Sequence, residues 1–387
     1  MNRLRKLTRR VSSLVTRPGR RDKVMRWLRR TAARQSLAAR SNRARVKAEL
    51  AAQAIVLESH PTTLIIDPAT SCNLKCPFCP TGGGYGTLKR QLLSPETFAR
   101  ITDHLRPELL DEVIFYNWGE PFLNKSIFDF VRFFADHGSY TEISTNFSMK
   151  DFSDEFFNRL IDSGLIELKV SIDGASQATY EKYRVGGDFE RVLRNVRRLA
   201  QLKRQRRKAY PHVTYRMLLN KHNQHDVEHA ARLAAECDVD FNPDPGFWCP
   251  EDEAAEWRIG AGETAGDVSG AGESPGPAAD PPSGIAGSHQ PIESYCRQMW
   301  DTVVVNADGH VFPCCLIYKT EQNVGNLATQ TLDEVRNSRK LRELRRFVVD
   351  PAAADPDFAN HCVGCSERHC MTGGSKSPLR LDPAAAR

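Results

Sequence analysis

The residues best suited to chemistry in this sequence are its cysteines, which fall into two groups. Of eleven cysteines, three lie within residues 72–79, Cys237 and Cys249 stand alone, and six lie within residues 296–370. In a reducing compartment, cysteines at such spacings act as metal ligands or catalytic groups more often than as disulfides. The grouping therefore predicts two metal sites, one for each group.

The first group has the spacing C-x3-C-x2-C, formed by Cys72, Cys76 and Cys79. Structural zinc sites usually take four protein ligands, and this loop offers only three thiolates. An iron–sulfur cluster can be held by three thiolates, which leaves its fourth iron open. The loop therefore indicates a cluster that binds and reduces another molecule, with a partial zinc site as the simpler alternative.

The second group is larger and is split by a gap in the sequence. Its members are Cys296, Cys314, Cys315, Cys362, Cys365 and Cys370. These thiolates suffice for a fully ligated cluster, whose role would be to accept or relay an electron, and they also suit zinc. Adjacent residues of a strand point to opposite faces, so we expect only one of Cys314 and Cys315 to face the site.

Alternating strands and helices must position the first cysteine loop. The predicted strands are Thr62–Asp67, Glu112–Tyr116, Tyr140–Ser144, Leu168–Ile172, Val213–Leu219 and Val239–Phe241. The predicted helices include Ser94–Leu105, Ile127–His137, Phe152–Ser163 and Phe189–Gln205. This alternation predicts an α/β fold, a partial (β/α)6 TIM-like barrel whose chemistry lies at the C-terminal ends of its strands. Beyond residue 292 we expect a strand at Thr302–Val305 and a helix at Thr331–Phe347.

Short motifs follow the predicted strands in order. They are NWGEP at 117–121, ISTN at 143–146, SIDG at 171–174 and YRVGG at 183–187. Each alone is an ordinary turn. Together with the cysteine loop, and with Phe78 just before its last cysteine, they make residues 62–248 resemble the radical S-adenosylmethionine (SAM) superfamily.

The resemblance implies that Cys72, Cys76 and Cys79 hold a 4Fe–4S cluster that binds SAM. The residues it places at the cofactor are Phe78, Gly119, Glu120, Asn146, Ser171, Asp173 and Arg184. Gly119 and Glu120 would help to hold the amino group of SAM. A guanidinium such as Arg184 suits the carboxylate of SAM by bidentate pairing, while a serine and an aspartate suit ribose hydroxyls.

The resemblance also implies a mechanism. An electron passes from the cluster to SAM and cleaves it to methionine and a 5′-deoxyadenosyl radical, which abstracts hydrogen from a substrate. The cofactor performs this chemistry, and the protein positions the substrate. An external donor such as flavodoxin or ferredoxin would supply the electron.

The context of the second cysteine group resembles the SPASM and twitch auxiliary-cluster domains of radical SAM enzymes. The matching segments are CRQMW at 296–300, DGHVFPCC at 308–315, VGNL at 324–327 and CVGC at 362–365. The resemblance implies one auxiliary 4Fe–4S cluster held by Cys296, Cys314, Cys362 and Cys365, with Cys315 as the alternative to Cys314. Cys249 is a weak candidate for contact with the substrate, and Cys237 is expected to be buried.

Composition divides the chain into four parts. Residues 1–57 form a basic arm, partly helical or disordered, since the first 50 residues hold 17 lysines and arginines against Asp22 and Glu49. Residues 58–250 form the core barrel, residues 251–292 a linker rich in Gly, Pro and Ala, and residues 293–387 the auxiliary-cluster domain. Such a linker composition cannot form a packed core.

The sequence has no apolar run of about 18 residues and no signal peptide, so we expect a cytoplasmic protein. The basic arm carries apolar stripes at helical spacing. A cationic helix of this kind suits either a nucleic acid or an anionic membrane surface, which here would be the inner membrane surface. The leading hypothesis is a two-electron oxidation of a small polar metabolite, such as a sugar or aminocyclitol. The alternatives are a peptide- or RNA-modifying radical SAM enzyme recruited by the arm, and a non-catalytic iron–sulfur or zinc protein.

Overall fold

The computed structural model of the chain describes residues 36–259 and 296–350, together with Asp355 and Cys362. The helices are α1 Leu37–Ala51, α2 Pro95–Asp103, α3 Ile127–Asp136, α4 Asp154–Asp162, α5 Gln177–Tyr183, α6 Phe189–Gln205, α7 Val227–Glu236, α8 Ala254–Trp257, α9 Gln298–Asp301, α10 Leu332–Arg336 and α11 Arg339–Val349. The strands are β1 Thr63–Ile66, β2 Glu112–Ile114, β3 Tyr140–Thr145, β4 Glu167–Ser171, β5 His212–Leu218, β6 Asp240–Asp244, β7 Thr302–Val305, β8 His310–Phe312 and β9 Gly325–Asn326.

All of these strands belong to one sheet, ordered β6-β5-β4-β3-β2-β1-β7-β8-β9. The strands from β6 to β1 are parallel to their neighbours, and β7 continues the sheet in parallel with β1, pairing Thr63 with Thr302. Strands β8 and β9 are antiparallel additions. The α/β prediction of a curled parallel sheet is confirmed, and the strands that follow residue 300 extend that same sheet.

The helices α2, α3, α4 and α6 carry apolar stripes, whose buried residues share the main core with the strands. In α6, Asp188 caps the N-terminus by accepting a hydrogen bond from the Arg191 amide at 2.9 Å. Val192, Val196 and Leu199 of this helix are buried, at the spacing of one helical face. The helix therefore covers the sheet with its apolar side, while its many arginines face away from the core.

Phenylalanines fill much of the space between α2, α3, α4 and the sheet. Phe98 stacks on Phe130 with ring centroids 4.2 Å apart, and Phe152 stacks on Phe156 at 4.0 Å. Burying one such side chain contributes about 1.5–3 kcal/mol. This layer makes the outer face of strands β1–β4 a rigid support for the loops at their C-terminal ends.

Helix α1 lies within the predicted basic arm 1–57 and packs on the rest of the fold. Asn42 exchanges two hydrogen bonds with the backbone of His60, and Arg43 pairs with Asp111 at 2.9 Å. Val46 and Leu50 are buried. Residues 1–35 of the arm lie outside the described residues, whereas its last part is an ordered helix.

Two other predicted segments differ from the structure. Most of the expected linker 251–292 lies outside the described residues, but its first residues form α8, because the apolar ring of Trp257 is buried. The predicted helix Thr331–Phe347 is wrong as one element. It is broken into α10 and α11 at Asn337, whose side chain hydrogen-bonds both backbone groups of Leu57 at 2.9 Å.

Two buried arginines fasten α10 and α11 to the chain segments beside β1 and β7. Arg336 donates to the carbonyls of Ser59 and Trp300, and Arg345 donates to the Ile55 carbonyl at 2.9 Å. Burial lowers the pKa of Arg336 to about 10 and that of Arg345 to about 9. The backbone carbonyls therefore hold the C-terminal helices against the barrel.

Within the residues described, no helix is both long enough and apolar enough to cross a lipid bilayer.

Candidate functional site

The first cysteine loop leaves the C-terminal end of β1 and is held by backbone hydrogen bonds. The Lys75 amide donates to the Val185 carbonyl at 2.9 Å, and the Gly83 amide donates to the Cys79 carbonyl at 2.7 Å. A Cβ atom at Gly82 would lie 2.6 Å from the Cys76 nitrogen. The following glycine segment therefore folds closely around the cysteines, as only residues without a side chain allow.

The thiols of this loop converge in a largely buried space. Burial, together with the charges of Glu120 and the neighbouring cysteines, raises the pKa of Cys72 to about 12. Burial also raises the pKa of Cys76, against the opposing effect of Arg184. Without a metal the Cys72 and Cys76 thiols would stay protonated, and coordination to a metal is what would favour their thiolates. Cys76 is buried and Cys72 and Cys79 are partly buried, and these three thiols fit the three-thiolate side of an iron–sulfur cluster.

In the part of the chain that the structure describes, no group of three or more His, Cys, Asp or Glu side chains is arranged to hold a metal ion. The fit of the cysteine loop to a cluster rests instead on the donor set. All three side chains are thiols, and they lie close enough to influence one another's pKa.

The Gly-Glu-Pro turn packs tightly against the start of the cysteine loop. A Cβ atom at Gly119 would lie 1.5 Å from the Ala69 carbonyl oxygen, so no other residue fits. The Glu120 amide donates to the Ser71 carbonyl at 2.8 Å. The Glu120 carboxylate turns inward and accepts hydrogen bonds from the Thr145 hydroxyl at 2.7 Å and the Asn146 amide at 2.8 Å. Its main contacts thus fix the loop after β3.

Arg184 lies behind the cysteine loop and is paired with Asp173. Its Nε donates to the Asp173 carboxylate at 2.6 Å, and its Nη1 lies 3.9 Å from the Cys76 sulfur. Burial disfavours this cation, but Asp173 and Cys76 outweigh it, and the pKa of Arg184 lies well above its usual value. Because Asp173 occupies Nε, only the Nη edge remains for a bidentate carboxylate.

Asp173 is buried, and both of its carboxylate oxygens are bonded within the protein. One accepts from Arg184, and the other accepts from the Leu218 amide at 2.7 Å. Its contacts therefore orient Arg184 and join the ends of β4 and β5. The predicted hydrogen bond from Asp173 to a ribose hydroxyl stays a prediction, since each carboxylate oxygen can accept a further hydrogen bond.

Ser171 and Asn146 lie at the ends of neighbouring strands and face the same space. The Ser171 hydroxyl lies 3.3 Å from that of Ser144. The Asn146 side-chain amide lies 3.6 Å from the Cys72 sulfur and donates to Asn73 at 3.0 Å. The structure therefore brings these two predicted residues to the mouth of the sheet where the cysteine loop lies.

Phe78 belongs to an aromatic cluster that covers the cysteine loop. Its ring centroid lies 5.1 Å from that of Trp257, 6.0 Å from Phe247 and 6.2 Å from Tyr183. Cys249 is buried in the same apolar cluster as Cys76. The weak candidate Cys249 is thus brought next to the loop, whereas Cys237 is buried in the main core.

The second cysteine group also converges, as far as it is described. Burial raises the pKa of Cys314, and the neighbouring Cys315, Cys362 and Cys296 raise it further. Cys314 and Cys315 lie in a bend after β8 rather than in a strand, so the expected alternation of faces does not apply to them. Cys365 and Cys370 lie outside the described residues. The structure therefore places three of the four predicted ligands, Cys296, Cys314 and Cys362, near one another.

A direct contact joins the two cysteine sites. Trp118, beside Gly119, donates its indole N–H to the Ile317 carbonyl at 2.9 Å, and its ring centroid lies 5.8 Å from that of Tyr318. Tyr318 also meets Tyr85 of the glycine segment, at 5.5 Å. The segment after Cys314 and Cys315 therefore rests on the two loops that surround the first cysteine site.

A set of polar residues on the sheet was missed by sequence reasoning. These residues are Tyr116, Glu142, Lys169, Arg216 and Asp244, which lie on or next to strands β2–β6. They contact one another through a Tyr116–Glu142–Lys169 group and an Arg216–Asp244 pair. The available signal was a charged residue between apolar neighbours, such as Lys169 between Leu168 and Val170.

Comparisons with known proteins agree with this geometry. Residues 66–234 match the radical SAM superfamily, and residues 296–366 match the SPASM iron–sulfur cluster-binding domain. Two curated relatives, from Methanosarcina barkeri and Oleidesulfovibrio alaskensis, are called AdoMet-dependent heme synthase. They are 25% identical over 183 and 132 residues, which are 47% and 34% of this chain. These matches span 49% and 33% of the relatives, so half or more of each relative lies outside the match.

Solved structures share the fold. SuiB from Streptococcus suis, bound to S-adenosylmethionine, is 16% identical with a TM-score of 0.55, covering 86% of this chain and 78% of its own. AnSMEcpe with bound AdoMet is 18% identical with a TM-score of 0.50, covering 83% and 93%. The chain therefore carries a radical SAM domain over residues 66–234, followed by a SPASM iron–sulfur cluster-binding domain over residues 296–366.

Proposed function

We propose that the enzyme carries out a two-electron oxidation of a small polar metabolite, such as a sugar or aminocyclitol. When bound, SAM and its cluster supply a carbon radical that removes a hydrogen atom from the substrate. Cys72, Cys76 and Cys79 would hold the cluster that binds SAM. Cys296, Cys314, Cys362 and Cys365 would hold the auxiliary cluster.

One observation carries this proposal, namely that both cysteine sites adjoin the same sheet next to β1. Cys314 and Cys315 pack against the buried cluster that contains Ile65 of β1, on the face that turns away from the helices. The first cysteine loop follows directly on β1. A substrate on this face would lie between the two sites, where an auxiliary cluster can take up the electron left after hydrogen removal.

The chain's own residues would orient SAM at the mouth of the sheet. Arg184, held by Asp173, keeps a positive charge beside Cys76 and offers its Nη edge to a carboxylate. Ser171 and Asn146 offer a hydroxyl and an amide nearby. Glu120 and Gly119 would act chiefly by fixing the backbone, and Phe78 by limiting the access of water.

We also propose the division into an arm at 1–57, a core at 58–250, a linker at 251–292 and an auxiliary-cluster domain at 293–387. The β1–β7 pairing and the Trp118 contact would make the second and fourth parts one working unit. The external electron donor would be a flavodoxin or ferredoxin. A peptide or RNA substrate recruited by the arm is the alternative to a free metabolite.

The proposed function is tested by anaerobic reconstitution of the full chain with iron and sulfide. We expect about eight irons per chain, as two 4Fe–4S clusters require, and 5′-deoxyadenosine that forms only with a reductant. A Cys237→Ala variant is the matched control, since Cys237 lies in the main core. Bound zinc with intact SAM would contradict the proposal.

Recruitment by the arm is tested by deleting residues 1–35, which leaves α1 in place. If the arm recruits RNA or an anionic membrane, the truncated enzyme should lose salt-dependent binding to RNA or to vesicles that contain phosphatidylserine. Binding and activity that are both unchanged would exclude recruitment.

A second candidate is a step in haem formation, favoured by the shared name of the two curated relatives. In that case the anaerobically purified enzyme should bind a carboxylated tetrapyrrole and shift its Soret absorption. A spectrum that does not change on addition of the enzyme would remove this candidate.

A further inference from the structure

The lumen face of the sheet, meaning the face that turns away from the helices, is polar on strands β3–β6. Successive residues of a strand point to opposite faces. Ile143, Val170 and Tyr215 are buried in the core formed with the helices, and their strand neighbours point the other way. Those neighbours include Glu142, Lys169 and Arg216. Charged side chains therefore line this half of the lumen face.

The other half of the lumen face is apolar. Ile65 of β1, Val304 of β7 and Phe312 of β8 pack together in a separate buried cluster, with Ile114 of β2 against it. Cys314 and Cys315 contact this cluster. The lumen face thus has an apolar wall on the side of the second cysteine site and a charged wall opposite.

On the charged wall, Lys169 is much more exposed than the carboxylate with which it pairs. The Lys169 side chain is 30% exposed, whereas that of its partner Glu142 is only 7% exposed. The Glu142 carboxylate is fixed by two hydrogen bonds, which it accepts from Tyr116 at 2.5 Å and from Lys169 at 2.7 Å. Lys169 is therefore held in place and presents its charge to the lumen.

Arg216 is also held by an ion pair, and the side chain of its partner Asp244 is 25% exposed. Two of its nitrogens donate to one oxygen of Asp244, at 2.8 and 2.5 Å, while its side chain remains 29% exposed. The register places Arg216 opposite Ser171, the residue at the mouth of the sheet. A second fixed cation therefore lies level with the predicted SAM-binding end of β4.

Stability alone does not explain why ion pairs occupy these positions of the sheet. Partly buried pairs gain little stability over apolar side chains of similar size, because desolvation offsets their attraction. The strands on the other half of the same face carry apolar side chains instead. Fixed, partly exposed cations are what the binding of an anionic ligand requires.

We propose that Lys169 and Arg216 bind an anionic group of the substrate, a carboxylate or a phosphate, while its apolar part lies against the wall formed by Ile65, Val304 and Phe312. This inference rests on the proposed function, because it takes the lumen face to be the place of the reaction. It narrows the substrate class from polar metabolites in general to amphipathic anions, and it disfavours a free aminocyclitol, whose amino groups are cationic.

The test uses calorimetric titration of the reconstituted full chain with octanoate, octyl phosphate, octanol and octylammonium. We expect the better anion to bind about tenfold more tightly than octanol or octylammonium. Lys169→Gln and Arg216→Gln should each remove most of that preference, since glutamine can still donate to Glu142 or Asp244 but carries no charge. Tighter binding of octanoate would identify the anionic group as a carboxylate, and tighter binding of octyl phosphate would identify it as a phosphate.

Three controls keep the outcome decisive. Arg194→Gln removes an exposed cation, paired with Asp151 on the outer surface, and should keep the preference. Lys169→Arg and Arg216→Lys keep the charge and should also keep it. No binding of any probe, equal binding of all four, or a preference that survives both glutamine substitutions would overturn the proposal. Because affinity is measured without turnover, this result is independent of whether wild-type enzyme forms 5′-deoxyadenosine.

Discussion

The two cysteine sites of this enzyme differ in what surrounds their thiols. At the first site a guanidinium and a side-chain amide approach the sulfurs, with Arg184 near Cys76 and Asn146 near Cys72. At the second site Cys314 and Cys315 lie against an apolar wall, and the uncharged side-chain amide of Gln298 lies 3.8 Å from the Cys315 sulfur. A guanidinium beside three thiols suits a site that must also hold a charged molecule. Thiols beside apolar side chains and an uncharged amide suit a closed cluster that only exchanges electrons.

The two sites are also positioned by different elements of the fold. The first site is built from loops that follow parallel strands, which is where α/β folds collect their chemistry. The second site is brought to the same sheet by β7 and β8, and the Trp118–Ile317 hydrogen bond joins the two. We infer that radical formation belongs to the first site and electron transfer to the second.

The largest effect is expected for Cys76→Ala, which removes one of the three thiols at the first site. We predict that the rate of SAM cleavage falls by more than about 100-fold. Substituting a residue that only supports a metal ligand usually lowers activity by about 10- to 100-fold, and loss of the ligand itself should cost more. Iron should fall to about half, since one of two 4Fe–4S clusters is lost. The measurements are iron content and 5′-deoxyadenosine by chromatography. Full cleavage in this variant would remove the assignment of the first site.

Cys362→Ala should affect the second site alone. We predict that iron again falls to about half and that product formation stops, while part of the SAM cleavage continues without product. Comparing Cys314→Ala with Cys315→Ala in the same assay identifies which of the two is the ligand. A Cys362→Ala enzyme with full iron and full product would show that the auxiliary assignment is wrong.

Arg184→Gln should weaken SAM binding without loss of iron. The change leaves the Asp173 carboxylate buried without its cation, and breaking one partner of such a pair commonly costs about 2–5 kcal/mol. SAM affinity should fall by about 10- to 150-fold, because the lost hydrogen bond to the SAM carboxylate is worth about 1.5–3 kcal/mol and about 1.4 kcal/mol is tenfold. Equilibrium dialysis with labelled SAM measures it. Arg194→Gln is the surface control, and equal losses in both variants would contradict the role of Arg184.

The smallest effect is expected for Trp118→Phe, which tests the contact between the sites. The variant loses the 2.9 Å hydrogen bond to the Ile317 carbonyl and keeps an aromatic ring beside Tyr318. We predict a loss of about 1 kcal/mol in the free energy of unfolding, measured by denaturant titration with both clusters intact. Loss of one cluster in this variant would show that the contact has a larger role.

Much of the fold could be predicted because its signals are local. The strand Thr302–Val305 and the helix Phe189–Gln205 have the predicted ends, since their periodicity is carried by neighbouring residues. The helix across 331–347 could not be predicted correctly. Its break depends on Asn337 bonding to Leu57, 280 residues away in the sequence.

The features of the candidate site could likewise be predicted only where their signals are local in the sequence. The cysteine types, spacing and order could be predicted, and so could the arrival of Asn146, Ser171 and Arg184 at one end of the sheet. The direction in which the Glu120 and Asp173 carboxylates point could not be predicted. Their hydrogen-bond donors, Thr145 and Leu218, come next to them only in the folded chain. The bend at Cys314 and Cys315 likewise defeats an argument based on strand alternation.

The central claim, that only the first site binds SAM, is tested most directly by electron paramagnetic resonance of the reduced enzyme. Two cluster signals should be present, one missing in Cys76→Ala and the other in Cys362→Ala. Adding SAM should change only the signal that Cys76→Ala lacks. A shift of both signals, or a shift only of the signal that Cys362→Ala lacks, would contradict the account.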